Sequence, residues 1–349
     1  MPSPSTETIL KQIVWLLLLG LGLVAAMYYG RVFWLPLAFG GLLALLFLPI
    51  IDRLKRWGWP DWLAISACVL LLVLIFGLLV LMVTLQVNVV AEQWPQVQEE
   101  LQQKGEKIRQ FATEELGLSA QRLNGFRDQL SQGSQWLQGI FSNFLGSFFS
   151  SLTSVLLTVV YLVFLLMARG RIYRFVLQLL PDHAQDDGRA VMAEAKEVVT
   201  NFLGGRLILS ASLGTFYAIG FWAFGLPNAF PLAVLAGALS IIPYLGNVIG
   251  GAIAIAFGIA MGESLTPLLG VIGTMSVAQV LENNVLQPWI IGNRVSMNPL
   301  FTFTTIIAFG LIWGVPGTVI AIPIVGIFLK VCTHVPGWQP IAYLLGQEE

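Results

Sequence analysis

One carboxylate, Glu282, lies in the otherwise uncharged stretch 265–287, with amides and a hydroxyl close to it in sequence. Ser276, Gln279, Asn283 and Gln287 fall within about 80° of one another on a helical wheel, and Glu282 and Asn284 flank that arc. A carboxylate inside a membrane helix costs about 2.5–3.5 kcal/mol on insertion scales, so it must face protein or water. Placed there, it can exchange a proton or hold a cation. The structural alternative is a helix-end residue, or a lock between helices made by the same hydrogen bonds.

Two apolar segments frame this stretch, and both are interrupted. Phe230–Gly262 is broken around Pro243, Tyr244, Gly246 and Asn247, and Pro299–Val331 around Gly314, Pro316 and Gly317. Either would run about 50 Å as one helix, whereas a bilayer core is about 30 Å thick. Proline removes a backbone donor, and backbone groups freed in this way cannot face lipid. The breaks therefore mark a protein-lined or watered place, where half-helix N-termini favour anions and unwound carbonyls favour cations. Tyr244 and Asn247 add a hydroxyl and an amide at the first break. Gly246, Gly250, Ala254, Gly258 and Gly262 form a small-residue ridge, repeated briefly by Gly310 and Gly314, of the kind that lets helices approach closely. Each segment can cross the membrane once as a broken span or fold as a re-entrant hairpin. The hairpin reading puts Arg294 on the cytoplasmic side, where positive charge belongs.

Composition restricts the class. The chain is 56% hydrophobic and 11% charged, with net charge −1 and mean hydropathy +0.80, against about 25% charge in a soluble domain. The expected fold is all-α: a polytopic helical membrane protein of about eight transmembrane segments, two of them broken or re-entrant. No basic face for nucleic acid is present, and two cysteines with two histidines support neither a disulfide framework nor a metal site. No phosphate loop, zinc-protease motif or nucleophile elbow occurs, so neither catalytic residues nor a cofactor are expected, and the chain reads as a non-enzyme.

Residues 1–90 carry three transmembrane helices. The first, around Ile13–Tyr29, is too long for a signal h-region, and Arg53, Lys55 and Arg56 mark a cytoplasmic turn after the second. Residues 91–146 form an extracytoplasmic amphipathic insert holding about a third of all charges. A fourth span and a basic cytoplasmic turn occupy 147–181. An amphipathic cytoplasmic helix follows at 182–205, with Val191, Ala195, Val198, Phe202 and Leu203 on one face. Residues 206–333 are the membrane transport core, beginning with a fifth span over 206–225, and 334–349 a cytoplasmic tail. Both termini are expected in the cytoplasm.

Three stretches resemble the autoinducer-2 exporter family of bacterial permeases (PerM-like proteins). They are Ser240–Gly246, then Leu281–Arg294 with Pro288, Gly292 and Arg294, then Asn298-Pro299-Leu300 with Phe309–Pro323, where Gly310, Gly314, Gly317 and Pro323 fit. The organisation fits over nearly the whole chain. One departure is Gln287, where the family often places an acid; it removes a second carboxylate and weakens cation coupling. The resemblance implies an inner-membrane transporter acting as a homo-oligomer, with relatives linked to autoinducer-2 export or to sodium/proton exchange. The expected function is export of a small polar solute, with a proton or sodium ion as the coupling partner. A sodium/proton antiporter and a membrane scaffold are the alternatives.

Overall fold

The computed structural model describes residues 6–92, 152–242, 245–261, 264–290 and 297–346, with the single positions 99 and 146. Nearly all of the insert expected at 91–146 lies outside these residues, as do Pro243, Tyr244, Gly262, Gly292 and Arg294. Among the described residues every regular element is a helix, beside one isolated bridge between Met297 and Gly346. We number them α1 (Thr6–Tyr29), α2 (Arg31–Arg56), α3 (Asp61–Glu92), α4 (Leu152–Gln178), α5 (Gln185–Ala223), α6 (Ala229–Leu239), α7 (Leu245–Ala260), α8 (Leu265–Leu281), α9 (Gln287–Ile290), α10 (Pro299–His334) and α11 (Gln339–Leu345). Six of the described helical stretches are long and apolar enough to cross a membrane, with three shorter apolar helices beside them. Leu70, Leu74 and Leu78 of α3 and Phe164 and Met167 of α4 stand exposed, an apolar surface that water would penalise and lipid accepts. The protein is a polytopic all-α membrane protein.

α5 is one unbroken helix of 39 residues. It joins, without interruption, the stretch read from sequence as a cytoplasmic amphipathic helix and the span following it. Nothing in its interior stops it, because Gly204 and Gly205 cost helix propensity but leave the backbone bonds intact. Val198 and Phe202 on its expected apolar face are buried.

The helices group into two compact units. The first comprises α1, α2, α4, the start of α5, α10 and α11. α2 and α4 approach so closely that a Cβ on Gly40 would lie 2.9 Å from the Cβ of Tyr161 and 3.2 Å from the amide nitrogen of Leu162. At one end, Glu194 of α5 meets Lys330 at 3.3 Å and His334 at 3.5 Å on α10, and Lys196 meets Asp52 of α2 at 3.6 Å.

α10 is a helical hairpin. Gly314 breaks it with φ 68° and ψ −154°, a conformation that glycine alone adopts freely. A straight helix of its 36 residues would hold its ends about 54 Å apart. Instead the amide of Asn298, just before it, donates to the carbonyl of Leu345 at 2.9 Å, and α11 follows its other end. Beyond the turn, Gly317 packs against the Phe309 carbonyl, and a Cβ on Gly310 would lie 3.2 Å from Cγ2 of Thr318. The turn region is anchored by Trp313, whose indole N–H donates to the Met27 carbonyl at 2.9 Å. Cysteines at 310 and 318, with Cys68 and Cys332 replaced by alanine, should form an intramolecular disulfide, since bridged Cβ atoms sit about 3.5–4.5 Å apart. A continuous helix would separate these positions by about 12 Å, and gel mobility with and without reductant would then show no bridge.

The second unit holds α3, the remainder of α5, and α6 to α9. α6 and α7 are the halves of the first broken segment, and they too fold back on one another. Gly246 meets the backbone of Leu239, and a Cβ on Gly250 would lie 2.8 Å from Cα of Ala236. The glycine ridge thus serves the hairpin's own closure. Gly258 continues it, facing Leu226 and Leu268 at its open end. With 11 and 16 residues, the arms are about 16 and 24 Å long, too short for either to cross alone.

Candidate functional site

At the tip of the α6–α7 hairpin two carbonyls accept from a side chain of another helix. The amides of Ser240, Ile241 and Ile242 still bond back into α6, through Ala236, Ala238 and Leu239. The carbonyls of Ser240 and Ile241 instead accept from a side chain of α5. Arg206 donates to Ser240 O at 2.6 Å through Nη2 and to Ile241 O at 3.3 Å through Nε. A guanidinium at a helix C-terminus complements both the carbonyls and the negative end of the helix dipole.

The same guanidinium holds Glu282. Its Nη1 lies 3.1 Å from Oε1 of the carboxylate, with the two side chains only 9% and 5% exposed. The other carboxylate oxygen, Oε2, accepts from Nδ2 of Asn247 at 2.9 Å and from Nε2 of Gln279 at 3.4 Å. An ionised carboxylate only accepts, so the Asn247 amide must turn its NH2 toward it. Its Oδ1 then accepts from the hydroxyl of Tyr217 at 3.0 Å, and Nδ2 also reaches Oε1 of Gln279 at 2.7 Å. The cluster thus ties α5, both sides of the hairpin tip and the end of α8 together.

Glu282 opens a five-residue π-helical turn, Glu282–Leu286, between α8 and α9. Gln287 donates its amide five residues back, to Glu282 O, and Pro288 has no N–H to continue an α pattern. Such turns are uncommon and are frequent at functional sites. This one also changes the wheel on which the polar arc was drawn. Glu282 is the buried centre, with Gln279 half-buried beside it. Ser276, Asn283, Asn284, Gln287 and Pro288 are exposed. Ser276 and Asn284 bond the carbonyls four residues back, Ile272 and Val280, and Asn283 accepts from Gln279 at 3.1 Å.

The remaining expected residues belong to the first unit. Gly314 is the α10 turn, Gly317 and Pro323 are buried, and Pro316 and Gly310 are half-buried. Pro299 is the first residue of α10, behind an Asn298 side chain that accepts from Leu300 N at 3.0 Å.

Two residues of the cluster were not singled out from sequence, Arg206 and Tyr217. Arg206 is the first residue of the span expected at 206–225. A signal was nevertheless present: it is the one Lys or Arg between Lys196 and Arg294, in a region whose membrane carboxylate needs a counter-ion. Tyr217 carried no comparable mark.

The cluster lies far along these helices from the hairpin's open end, where Phe224, Leu226, Gly258 and Leu268 come together. From Arg206 to Ala223, and from Leu265 to Glu282, the helical path is about 26 Å, most of a hydrocarbon core. Beside the tip, a groove of about 540 Å³ is lined by Ile75, Leu79, Leu207, Ser210, Gly237 and Ile241, among others. Its walls are mainly apolar, so polar chemistry is concentrated in the cluster.

The family model described as AI-2E family transporter matches residues 16–337. The chain belongs to the AI-2E transporter family. Among its relatives, the AI-2 transport protein TqsA of Escherichia coli is 22% identical over 311 residues, covering 89% of this chain and 88% of that protein. YrrI of Bacillus subtilis is 30% identical over 159 residues, 46% of this chain and 44% of YrrI. PerM of Escherichia coli is 25% identical over 197 residues, 54% of this chain and 56% of PerM. The chain thus matches less than half the length of YrrI, while against TqsA the likeness is nearly end to end. All three stretches that carried the family resemblance lie within the matched range.

Proposed function

We propose that this AI-2E family member is a secondary transporter that exports a small polar solute, using the α6–α7 hairpin tip and the Glu282 cluster as its pathway. The observation that carries this reading is the buried Arg206–Glu282 pair, joined through Asn247 to an unwound hairpin tip. Polar groups are costly in a membrane, and this network places carboxylate, guanidinium, amide and phenol where the backbone is open. An autoinducer-2-like solute suits the reading, because TqsA is named an AI-2 transport protein and a polyhydroxylated molecule could exchange hydrogen bonds with such a set. We place the basic stretches at 53–56 and 169–174, which lie in the last turns of α2 and the C-terminal part of α4, and both termini, on the cytoplasmic side of a bacterial inner membrane, in a homo-oligomer.

The test compares metabolites inside and outside cells expressing wild type or Glu282→Gln at equal membrane levels. A solute should leave only wild-type cells, with flux in the variant lowered at least tenfold. Equal export by both would remove Glu282 from the mechanism. Flux driven by sodium and proton gradients with no organic solute would point instead to an antiporter. A function that tolerates changes at Pro243, Glu282 and Pro316 but fails without 91–146 would point to a scaffold.

A further inference from the structure

We infer that the groove between α3, α5 and α6 is a binding site for one acyl chain of a membrane lipid, lying tail-first along α6. Of the residues that line it, Ser210, Gly214, Ala218 and Gly237 are buried, whereas Ile75, Trp222 and Phe230 stand exposed. Small residues thus form the floor and large ones the rims. The floor is low because α5 and α6 meet at glycines: a Cβ on Gly214 would lie 3.5 Å from Cα of Gly237.

The dimensions select the occupant. From Phe230 to Ile241 the α6 wall runs about 16 Å, close to half of a hydrocarbon core about 30 Å thick. A groove of about 540 Å³ spread over that length has a mean cross-section of about 34 Å², whereas a helix about 10 Å across takes about 80 Å². One extended hydrocarbon chain fits such a trough, and a helix does not. Left empty, the walls would forfeit their dispersion contacts.

The chemistry of the lining agrees. Ser210 and Thr215 already donate their hydroxyls to the carbonyls of Gly237 and Ala211. A hydrocarbon chain therefore strands no polar group, while a polar solute would gain little. The direction of the chain follows from the turn at 224–228, where Gly225 and Asn228 are exposed. Irregular backbone cannot face hydrocarbon, so this turn marks the headgroup end, with Trp222 beside it as an interfacial anchor. The terminal methyl then lies against Ser210 and Ile241, at the hairpin tip.

The experiment uses the full chain, wild type and Ala211→Phe, in nanodiscs of phosphatidylethanolamine carrying a diazirine near the terminal methyl or near the glycerol of one chain. Residues labelled on irradiation are mapped by mass spectrometry. The methyl-end probe should label Ser210 and Ile241, and the glycerol-end probe Trp222 and Phe230. Ala211 lies on the exposed part of the lining, so the substitution should fill the trough and lower the methyl-end labelling about tenfold. Labelling of Leu70 and Leu74, exposed on α3, should stay unchanged. Groove labelling that Ala211→Phe leaves unaltered would mean passing contact with bulk lipid and would overturn the inference. Two probes that mark the same residues would overturn it as well, and this wild-type pattern decides alone if the variant does not reach the membrane. Groove residues without lipid adducts would also overturn it, the groove then being covered by a second copy or by the segment 91–146. None of these readouts involves the exported solute, so their failure leaves the export reading standing.

Discussion

Arg206→Met should lower the free energy of unfolding by about 3–5 kcal/mol, because it leaves Glu282 buried without its counter-charge. The carboxylate is enclosed and would keep only the donors of Asn247 and Gln279. The substitution also removes the hydrogen bonds that Arg206 makes to the Ser240 and Ile241 carbonyls, each worth about 1.5–3 kcal/mol from a charged donor. Glu282→Met should be costly in the same way, now for the guanidinium. The double variant Arg206→Met/Glu282→Met should recover much of the loss, since a buried pair exchanged for apolar side chains of similar volume is often neutral. Recovery should remain incomplete, as the Ser240 and Ile241 carbonyls lose the Arg206 donor, whereas Asn247 keeps its bonds to Gln279 and Tyr217. Denaturant unfolding in mixed micelles reads all three. A single variant costing less than about 1 kcal/mol, the worth of an exposed pair, would mean that water reaches the cluster freely.

Gly246→Ala should be the most damaging single-methyl change at the hairpin tip, at about 1–3 kcal/mol or more. A Cβ there would overlap the Leu239 carbonyl and crowd Cα of Ser240. These are backbone atoms, so no rotamer change relieves the overlap. The tip must open, and with it the carbonyls that Arg206 caps and the neighbouring Asn247. Export should therefore fall with stability, which separates this site from an ordinary packing position. Gly273→Ala on α8 is the control. Nothing lies within 4 Å of its added methyl, and a helix-interior alanine gains about 0.5–1 kcal/mol over glycine. Melting curves and export assays on both variants test the contrast. Equal melting temperatures for the two would show that the hairpin is looser than its geometry indicates.

Much of this architecture is written in local sequence. Hydropathy alone requires a membrane, because lipid is the solvent that accepts so many exposed leucines. Pro316 and Gly314 mark the second break, and glycine at 314 is demanded by its positive φ. Glu282 stands out because a carboxylate in an apolar stretch is expensive, and Asn247 because it is an amide beside a break. All of these can be seen within a window of a few residues.

The rest depended on parts distant in sequence meeting in space. Whether Pro299–His334 crosses or doubles back is decided by the bond between Asn298 and Leu345, and hydropathy cannot register it. The arc through Ser276 and Gln287 assumed a regular helix, whereas the π turn at Glu282 moved the buried face to Glu282 and Gln279. Arg206 lies 76 positions from Glu282, and Tyr217 lies 30 from Asn247. Their pairing follows from helices packed through glycine, as where Gly214 meets Gly237. Sequence by itself determined where charge and backbone disorder could be tolerated, because those costs are local. Tertiary structure alone decided which charge neutralises which, because compensation requires two buried groups within about 3 Å.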